Sequence, residues 1–229
     1  MLPRRFSAKV LEIVQLGLKG HPGPALRAVT DRLHRESRAL GLRRDLTVPF
    51  TAPQAKIPIE VRPLTSRDNL AFLAESAGGQ EEYFVRLGQR SLLKTNLSTC
   101  YIALANGDVA YMQWLISADQ QRNLETQFGD LFPALSANEA LMEGAYTVPA
   151  YRGLGIMASA MAQIAAQATR FGARWVITFV DERNVPSLKG CERAGFSPYI
   201  VRRESWRLLQ RSVEFQPWLL DTATHPRAS

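Results

Sequence analysis

The junction at residues 147–157 limits what this chain can fold into more than any other stretch. A β-rich run ending in Thr147-Val148-Pro149 passes through Ala150-Tyr151-Arg152-Gly153-Leu154-Gly155 directly into residues 156–171, an Ala- and Met-rich run with helical spacing. A strand that turns straight into a helix belongs to a layered α/β arrangement. It also aims the unpaired N–H groups of the helix's first turn, and the positive end of its dipole, at one spot. Glycines let the backbone approach an anion closely, and Arg152 adds a cation, so the spot suits a phosphate. Taken alone, a Gly-x-Gly turn before a helix is as readily a structural turn as a phosphate site.

The flanking sequence supplies the rest of an α/β pattern from residue 57 onward. Residues 57–62 read as a strand, Ser66 as the N-cap of a helix over 69–75, and residues 80–93 as a second helix. Residues 100–105 and 109–116 are β-rich and meet at Asn106-Gly107-Asp108, a strong hairpin signal. An irregular segment, 117–138, leads to a strand over 140–147; after the helix come a strand over 175–180, a short helix over 185–194 and a last strand over 199–208. The expected class is α/β (α+β), with a central mixed, mostly antiparallel sheet flanked by helices. No internal repeat is apparent.

Before residue 57 the chain reads differently. Apolar spacing predicts two basic amphipathic helices, over residues 7–19 and 24–40, separated by Gly20-His21-Pro22-Gly23-Pro24. The expected organisation is a basic helical arm (1–46), a proline-bearing linker (47–56), an α/β domain (57–211) and a tail (212–229). The net charge of +7 gathers in the arm: residues 1–45 hold ten Lys/Arg against four Asp/Glu, whereas 59–142 hold six against ten. The arm's apolar stripes suit packing on the domain or on a second subunit, leaving a homodimer open, and a peripheral membrane or acidic partner through residues 1–45 is the other reading. Interleaved aromatics are lacking in these helices, so nucleic acid is not expected. No run of about 18 apolar residues and no leader pattern occurs, which predicts a cytoplasmic chain without a transmembrane segment. His21, His34 and His225 all lie outside the domain, and Cys100 and Cys191 lack metal-ligand spacing, so no metal is expected.

With these elements in place, the chain resembles the GNAT (GCN5-related N-acetyltransferase) superfamily. Its central motif, Gln/Arg-x-x-Gly-x-Gly/Ala after a strand ending Val-x-Pro, stands here as Arg152-Gly153-Leu154-Gly155-Ile156-Met157 after Thr147-Val148-Pro149. A second motif, Asn-x-x-Ala/Ser-x-x-x-Tyr-x-x-x-Gly-Phe, stands as Asn184-Val185-Pro186-Ser187 through Cys191 to Gly195-Phe196. The resemblance implies that acetyl-CoA, or another acyl-CoA, is the acyl donor. It implies that Arg152, Gly153, Leu154, Gly155, Ile156, Met157 and Ala158 hold the pyrophosphate. Ala145, Tyr146 and Thr147 would offer backbone groups to the pantetheine and the thioester carbonyl, with Asn184 and Ser187 nearby. Two positions depart from the pattern. Met157 puts a long side chain at the helix start, and Cys191 stands where many members carry a Tyr that protonates the leaving thiolate. Cys191 is open to three readings: a small buried residue, a proton donor, or an acyl acceptor.

Transfer of an acyl group to an amine requires positioning, a donor for the developing oxyanion and a base for the ammonium proton. Glu143, four residues before Thr147, is the candidate base, against a strand-edge glutamate paired with an arginine or with solvent. Tyr146 is an alternative proton-transfer group, against a packing tyrosine with a wet tip. The acidic balance of 59–142 favours a cationic amine, on a small molecule or on a protein. Transfer from an acyl carrier protein or a longer acyl-CoA, and a catalytically silent CoA-binding or interaction module, are the competing readings.

Overall fold

Asn106 and Gly107 take left-handed backbone, with φ of 53° and 87°, as a type I′ hairpin turn requires, and the predicted hairpin forms around them. The computed structural model describes residues 34–74, 79–97, 99–207 and 210–218. In chain order the elements are β1 (His34–Asp45), β2 (Glu60–Pro63), α1 (Gly79–Leu92), β3 (Cys100–Ala105), β4 (Asp108–Ser117), α2 (Gln121–Phe128), β5 (Glu139–Thr147), α3 (Ile156–Gln167), β6 (Trp175–Asp181), α4 (Val185–Arg193), β7 (Ser197–Arg207) and β8 (Gln210–Pro217).

The strands make one eight-stranded sheet in the order β2-β3-β4-β5-β6-β1-β7-β8. Among the described strands only β5 and β6 pair in parallel, joined by α3 as a parallel crossover requires; the other pairs are antiparallel. Side chains on the two faces of the sheet build two cores. One takes Ile156, Ala160, Met161 and Ile164 of α3 and Cys191 of α4. The other takes Leu92 of α1 and Leu124 of α2. Strand β4 is therefore buried on both faces, with Tyr111 and Leu115 on the α3 side and Met112, Trp114 and Ile116 on the α1 side. No helix of the described residues is long and apolar enough to cross a membrane.

Several expectations give way. The helix expected over 24–40 is replaced from residue 34 by β1, which lies inside the sheet between β6 and β7. The misreading has a physical cause. The first half of β1 is polar and pairs with polar β7, Arg38 opposite Arg203 and Glu36 opposite Ser205, so no apolar alternation announces it. Long-range pairing decides the conformation there. Residues 34–45 thus belong to the α/β layers, while the helix expected over 7–19 and the start of the second lie outside the described residues.

The stretch assigned to a linker runs across the domain. Lys56 N–H donates to the Leu154 carbonyl at 2.8 Å, and the Phe50 ring lies 4.2 Å from the buried Arg44 guanidinium, which donates to the Ala162 and Ala194 carbonyls. The expected tail contains β8, whose alternation of half-buried Arg211, Val213 and Phe215 marks it as an edge strand. Within 69–74 only a single turn, Ala71–Leu73, forms where a helix over 69–75 was expected. Asn69, not Ser66, serves it, its Oδ1 accepting Ala71 N–H at 2.9 Å, while Asp68 ties the preceding loop by accepting from Thr65 N–H and from Arg62.

Candidate functional site

Strand β5 carries a bulge and a parting at the same level. Its pairing with β4 shifts between Met112, opposite Tyr146, and Trp114, opposite Glu143, so Gly144 and Ala145 together face Gln113. Gly144 has φ 68°, and a side chain there would meet Leu92 at 2.8 Å and the Trp114 ring at 2.9 Å, so the position takes glycine. On its other edge β5 pairs with β6 from Glu139 to Met142 and then leaves it, while β5 runs on to Thr147 and β6 to Asp181. Beyond Met142 that edge of β5 has no ladder partner in β6, so the stretch from Gly144 to Tyr146 can pair with something else. Ala145, on that stretch, is exposed.

The turn that follows ends at the start of α3. Gly153 and Gly155 have φ of 76° and 75°, and Gly155, in the N-cap position, leaves the first-turn amides without a side-chain cap. The long side chain of Met157 turns toward α4: a Cβ built on Gly190 would come within 2.9 Å of Met157 Sδ. Ile156 and Ala158 point into the core. Arg152 is exposed, and its guanidinium donates to the Thr147 carbonyl at 3.1 Å and to Glu82 at 3.0 and 2.8 Å.

Glu82, which the sequence reading did not single out, links three elements. From α1 it accepts both Arg152 and the Tyr146 hydroxyl, the latter at 2.7 Å. Burial pushes the Glu82 carboxyl up, but the hydrogen bonds from Tyr146 and Arg152 outweigh it and hold the pKa below the usual glutamate value. Burial, reinforced by Glu82, pushes the Tyr146 phenol up to about 12. The tyrosine ring stacks on Phe72, with centroids 5.9 Å apart. Glu81 and Glu82 both fall in the first turn of α1; that clue was available, but which of them would face β5 is decided by packing. The buried residues Arg86, Gln89 and Leu92 share the Glu82 face of α1, four, seven and ten residues on. Glu143 is half-buried and opposite Trp114, on the α1 face of β5. Its charge acts on Arg202 of β7, whose pKa burial lowers and Glu143 raises in part.

At α4, Asn184 is the N-cap: its Oδ1 accepts Ser187 N–H at 3.2 Å. Asn184 is exposed and Ser187 half-buried. Cys191 faces the α3-side core at 1% exposure, and burial pushes its thiol up to about 12. It is a free cysteine, as is Cys100.

The profile of the Acetyltransferase (GNAT) family matches residues 68–196, more than half of the chain. The chain belongs to this GNAT family. The chain is similar to several solved structures. A GNAT-family acetyltransferase from Colwellia psychrerythraea is 14% identical over 84% of this chain and 61% of its own, with a TM-score of 0.47. A GCN5-related N-acetyltransferase from Sphaerobacter thermophilus is 18% identical over 80% and 56%, with a TM-score of 0.46. A region described as a GCN5-related glucosamine N-acetyltransferase, within a fungal multi-domain β-N-acetylglucosaminidase, is 14% identical over 79% and 22%, with a TM-score of 0.54. This chain spans about three fifths of the Colwellia chain and somewhat less of the Sphaerobacter one. None of the curated proteins matches the sequence.

In this GNAT domain the expected residues are spread over the β5 edge, the α3 and α4 starts and both faces of the sheet. The β5 edge (Ala145, Tyr146, Thr147), Arg152, Gly153, Leu154 and Gly155, and the first turn of α3 form one continuous run of backbone from the parting to the helix start. Glu143 and Tyr146 lie on the α1 face of the sheet and Cys191 on the α3 face, with the parting between. Asn184 Oδ1 accepts Ser187 N–H at the start of α4. Among the described residues no cluster of three or more His, Cys, Asp or Glu is placed to hold a metal ion.

Proposed function

We propose that this GNAT protein transfers an acetyl group from acetyl-CoA to a primary amine within a ternary complex. One observation carries the reading: the uncapped start of α3 is continuous with a strand edge that leaves its neighbour after Met142. An anion suits the first element and an extended amide-bearing arm suits the second; a pantetheine pyrophosphate has both parts in that order. Gly153 to Ala158 would hold the pyrophosphate through backbone amides, and Ala145 to Thr147 would pair with the arm. Arg152 adds positive charge at the turn while anchored by Glu82. The parting joins the two faces, so donor and amine approach from opposite sides: the donor along α3, the acceptor beside α1.

In that arrangement the amine nitrogen attacks the thioester carbon, a backbone N–H of β5 stabilises the developing oxyanion, and the C–S bond breaks. Glu143 is the proposed acceptor of the ammonium proton. It is half-buried on the acceptor face, where its charge acts on Arg202. Tyr146 does not suit that role, since its proton is given to Glu82 and its phenol is shifted up.

Two measurements test this. Calorimetry should show micromolar acetyl-CoA binding, and the reading fails if none is found at high micromolar concentration. Across a panel of amines with thiol release followed, Glu143→Gln should lower kcat by about 100-fold with the acetyl-CoA Kd within about twofold. An unchanged rate removes Glu143 as base. A silent CoA-binding module is the second reading, favoured by the buried, protonated thiol of Cys191 at the position of the family's tyrosine. Binding without turnover over the whole panel would select it.

A further inference from the structure

Gln113 is a buried polar residue whose needs the protein leaves half met. It lies on β4 with 1% of its surface exposed. Its Oε1 accepts the hydroxyl of Tyr111 at 2.5 Å, and Tyr111 is itself wholly buried. Among the described residues its Nε2 has no hydrogen-bond partner. Such a group costs free energy unless something else uses it, and buried amides are almost always satisfied.

The position of this orphan donor gives it a use. Met112 and Trp114 point to the α1 face, so Gln113 between them points to the α3 face, where its partner Tyr111 also lies. It stands opposite the Gly144–Ala145 bulge. Tyr146 is buried on the α1 side, which turns Ala145 to the α3 side, and there Ala145 is exposed. Directly opposite side chains on neighbouring strands sit about 5 Å apart. A ligand lying over Ala145 in the parting therefore comes within reach of the Gln113 amide. The hydroxyl of Tyr111, by donating to Oε1, fixes which end of that amide is left over: the N–H end, suited to a carbonyl oxygen.

We propose that Gln113 donates from Nε2 to a carbonyl oxygen of the acyl-pantetheine arm where it crosses Ala145, and that Tyr111 holds the amide in that orientation. This rests on the acyl-CoA reading given above. Gln113 is then a donor-binding residue on the strand next to the cofactor strand, and Tyr111 a positioning residue acting through it.

The test uses the full chain and three probes: acetyl-CoA, CoA, and adenosine 3′,5′-bisphosphate, which has the nucleotide half alone. Gln113→Met removes the amide at similar volume. It should weaken acetyl-CoA about five- to tenfold, the worth of one hydrogen bond between neutral groups, leave the nucleotide half unaffected, and lower the unliganded Tm slightly, because the Nε2 orphan goes but the buried Tyr111 hydroxyl loses its acceptor. Tyr111→Phe should weaken acetyl-CoA about two- to threefold by freeing the amide to turn, and it decides alone if the methionine variant does not fold. Loss for acetyl-CoA and CoA together assigns the bond to an arm amide; loss for acetyl-CoA only assigns it to the thioester. Unchanged acetyl-CoA affinity, or equal loss for all three probes, overturns the role of Gln113. A wild-type chain that binds none of the probes overturns the acyl-CoA reading itself.

Discussion

Helices α3 and α4 each follow a strand of the same sheet and pack against one another, yet their first turns are finished in opposite ways. At α4 the side chain of Asn184 accepts the Ser187 amide, so the helix start is completed from within. At α3 the N-cap is Gly155, which has no side chain to offer. Its φ of 75° turns the chain so that the first-turn amides face outward at the end of a strand that has parted from its neighbour. Helix starts generally need acceptors, so an open one beside an open strand edge marks where a ligand completes the fold. A closed start of similar sequence setting does not.

The largest expected effect breaks α3 alone. Gly155→Asp puts a carboxylate where the amides converge. Aspartate tolerates left-handed backbone better than most residues, and a Cβ there lies 3.7 Å from the Arg193 guanidinium, so the domain should keep its fold. Acetyl-CoA affinity should fall about 100-fold, about 2.7 kcal/mol by calorimetry, with a cooperative melt retained. Unchanged affinity would show that the open helix start is not the anion site.

How much of this was legible follows from where local chemistry settles conformation. The Asn106-Gly107 turn and the Gly153–Gly155 turn both read correctly because the positive φ values they need are nearly reserved for such residues. The extents of β5, β6 and α4 came out within two residues of those observed, from apolar runs and the Asn184 cap. β1 did not, since its polar half takes strand form only through partners some 140 to 170 residues away. β8 was missed although Val213 and Phe215 alternate, because the sequence just before it, Leu208-Leu209, carries no glycine or proline to signal a break. At the site, backbone positions were readable from motifs. Glu82 was not, as nothing local says that the first turn of α1 reaches Arg152, 70 residues on. Gln113 likewise looks like one polar residue in an apolar strand until the bulge opposite it is known.

An intermediate effect sharpens the comparison by loosening what anchors the open end. Glu82→Gln removes the charge shared by Tyr146 and the half-exposed Arg152, and should cost about 1–2 kcal/mol of stability near pH 7. The sign of its pH dependence is set by a carboxyl whose folded pKa is depressed. Its contribution is fully present above the ordinary glutamate range, about 4.3, and is lost as pH falls through the lower folded value. Urea melts at pH 7 and pH 3 should therefore show the wild-type and variant midpoints converging in acid. A constant difference would mean that the Glu82 hydrogen bonds do not depend on its charge.

The smallest effect tests the closed end. Asn184→Ala removes the cap from α4 and should cost about 1 kcal/mol of stability, read as a lower urea midpoint at unchanged slope. Because Asn184 Oδ1 is already committed to Ser187 N–H, the acetyl-CoA Kd should stay within about threefold of wild type, under 0.7 kcal/mol. The opposite pattern, a tenfold weaker Kd with stability intact, would place Asn184 against the ligand and erase the contrast. Both helix starts would then be built to receive it, and the motif asparagine would be a ligand contact first and a cap second.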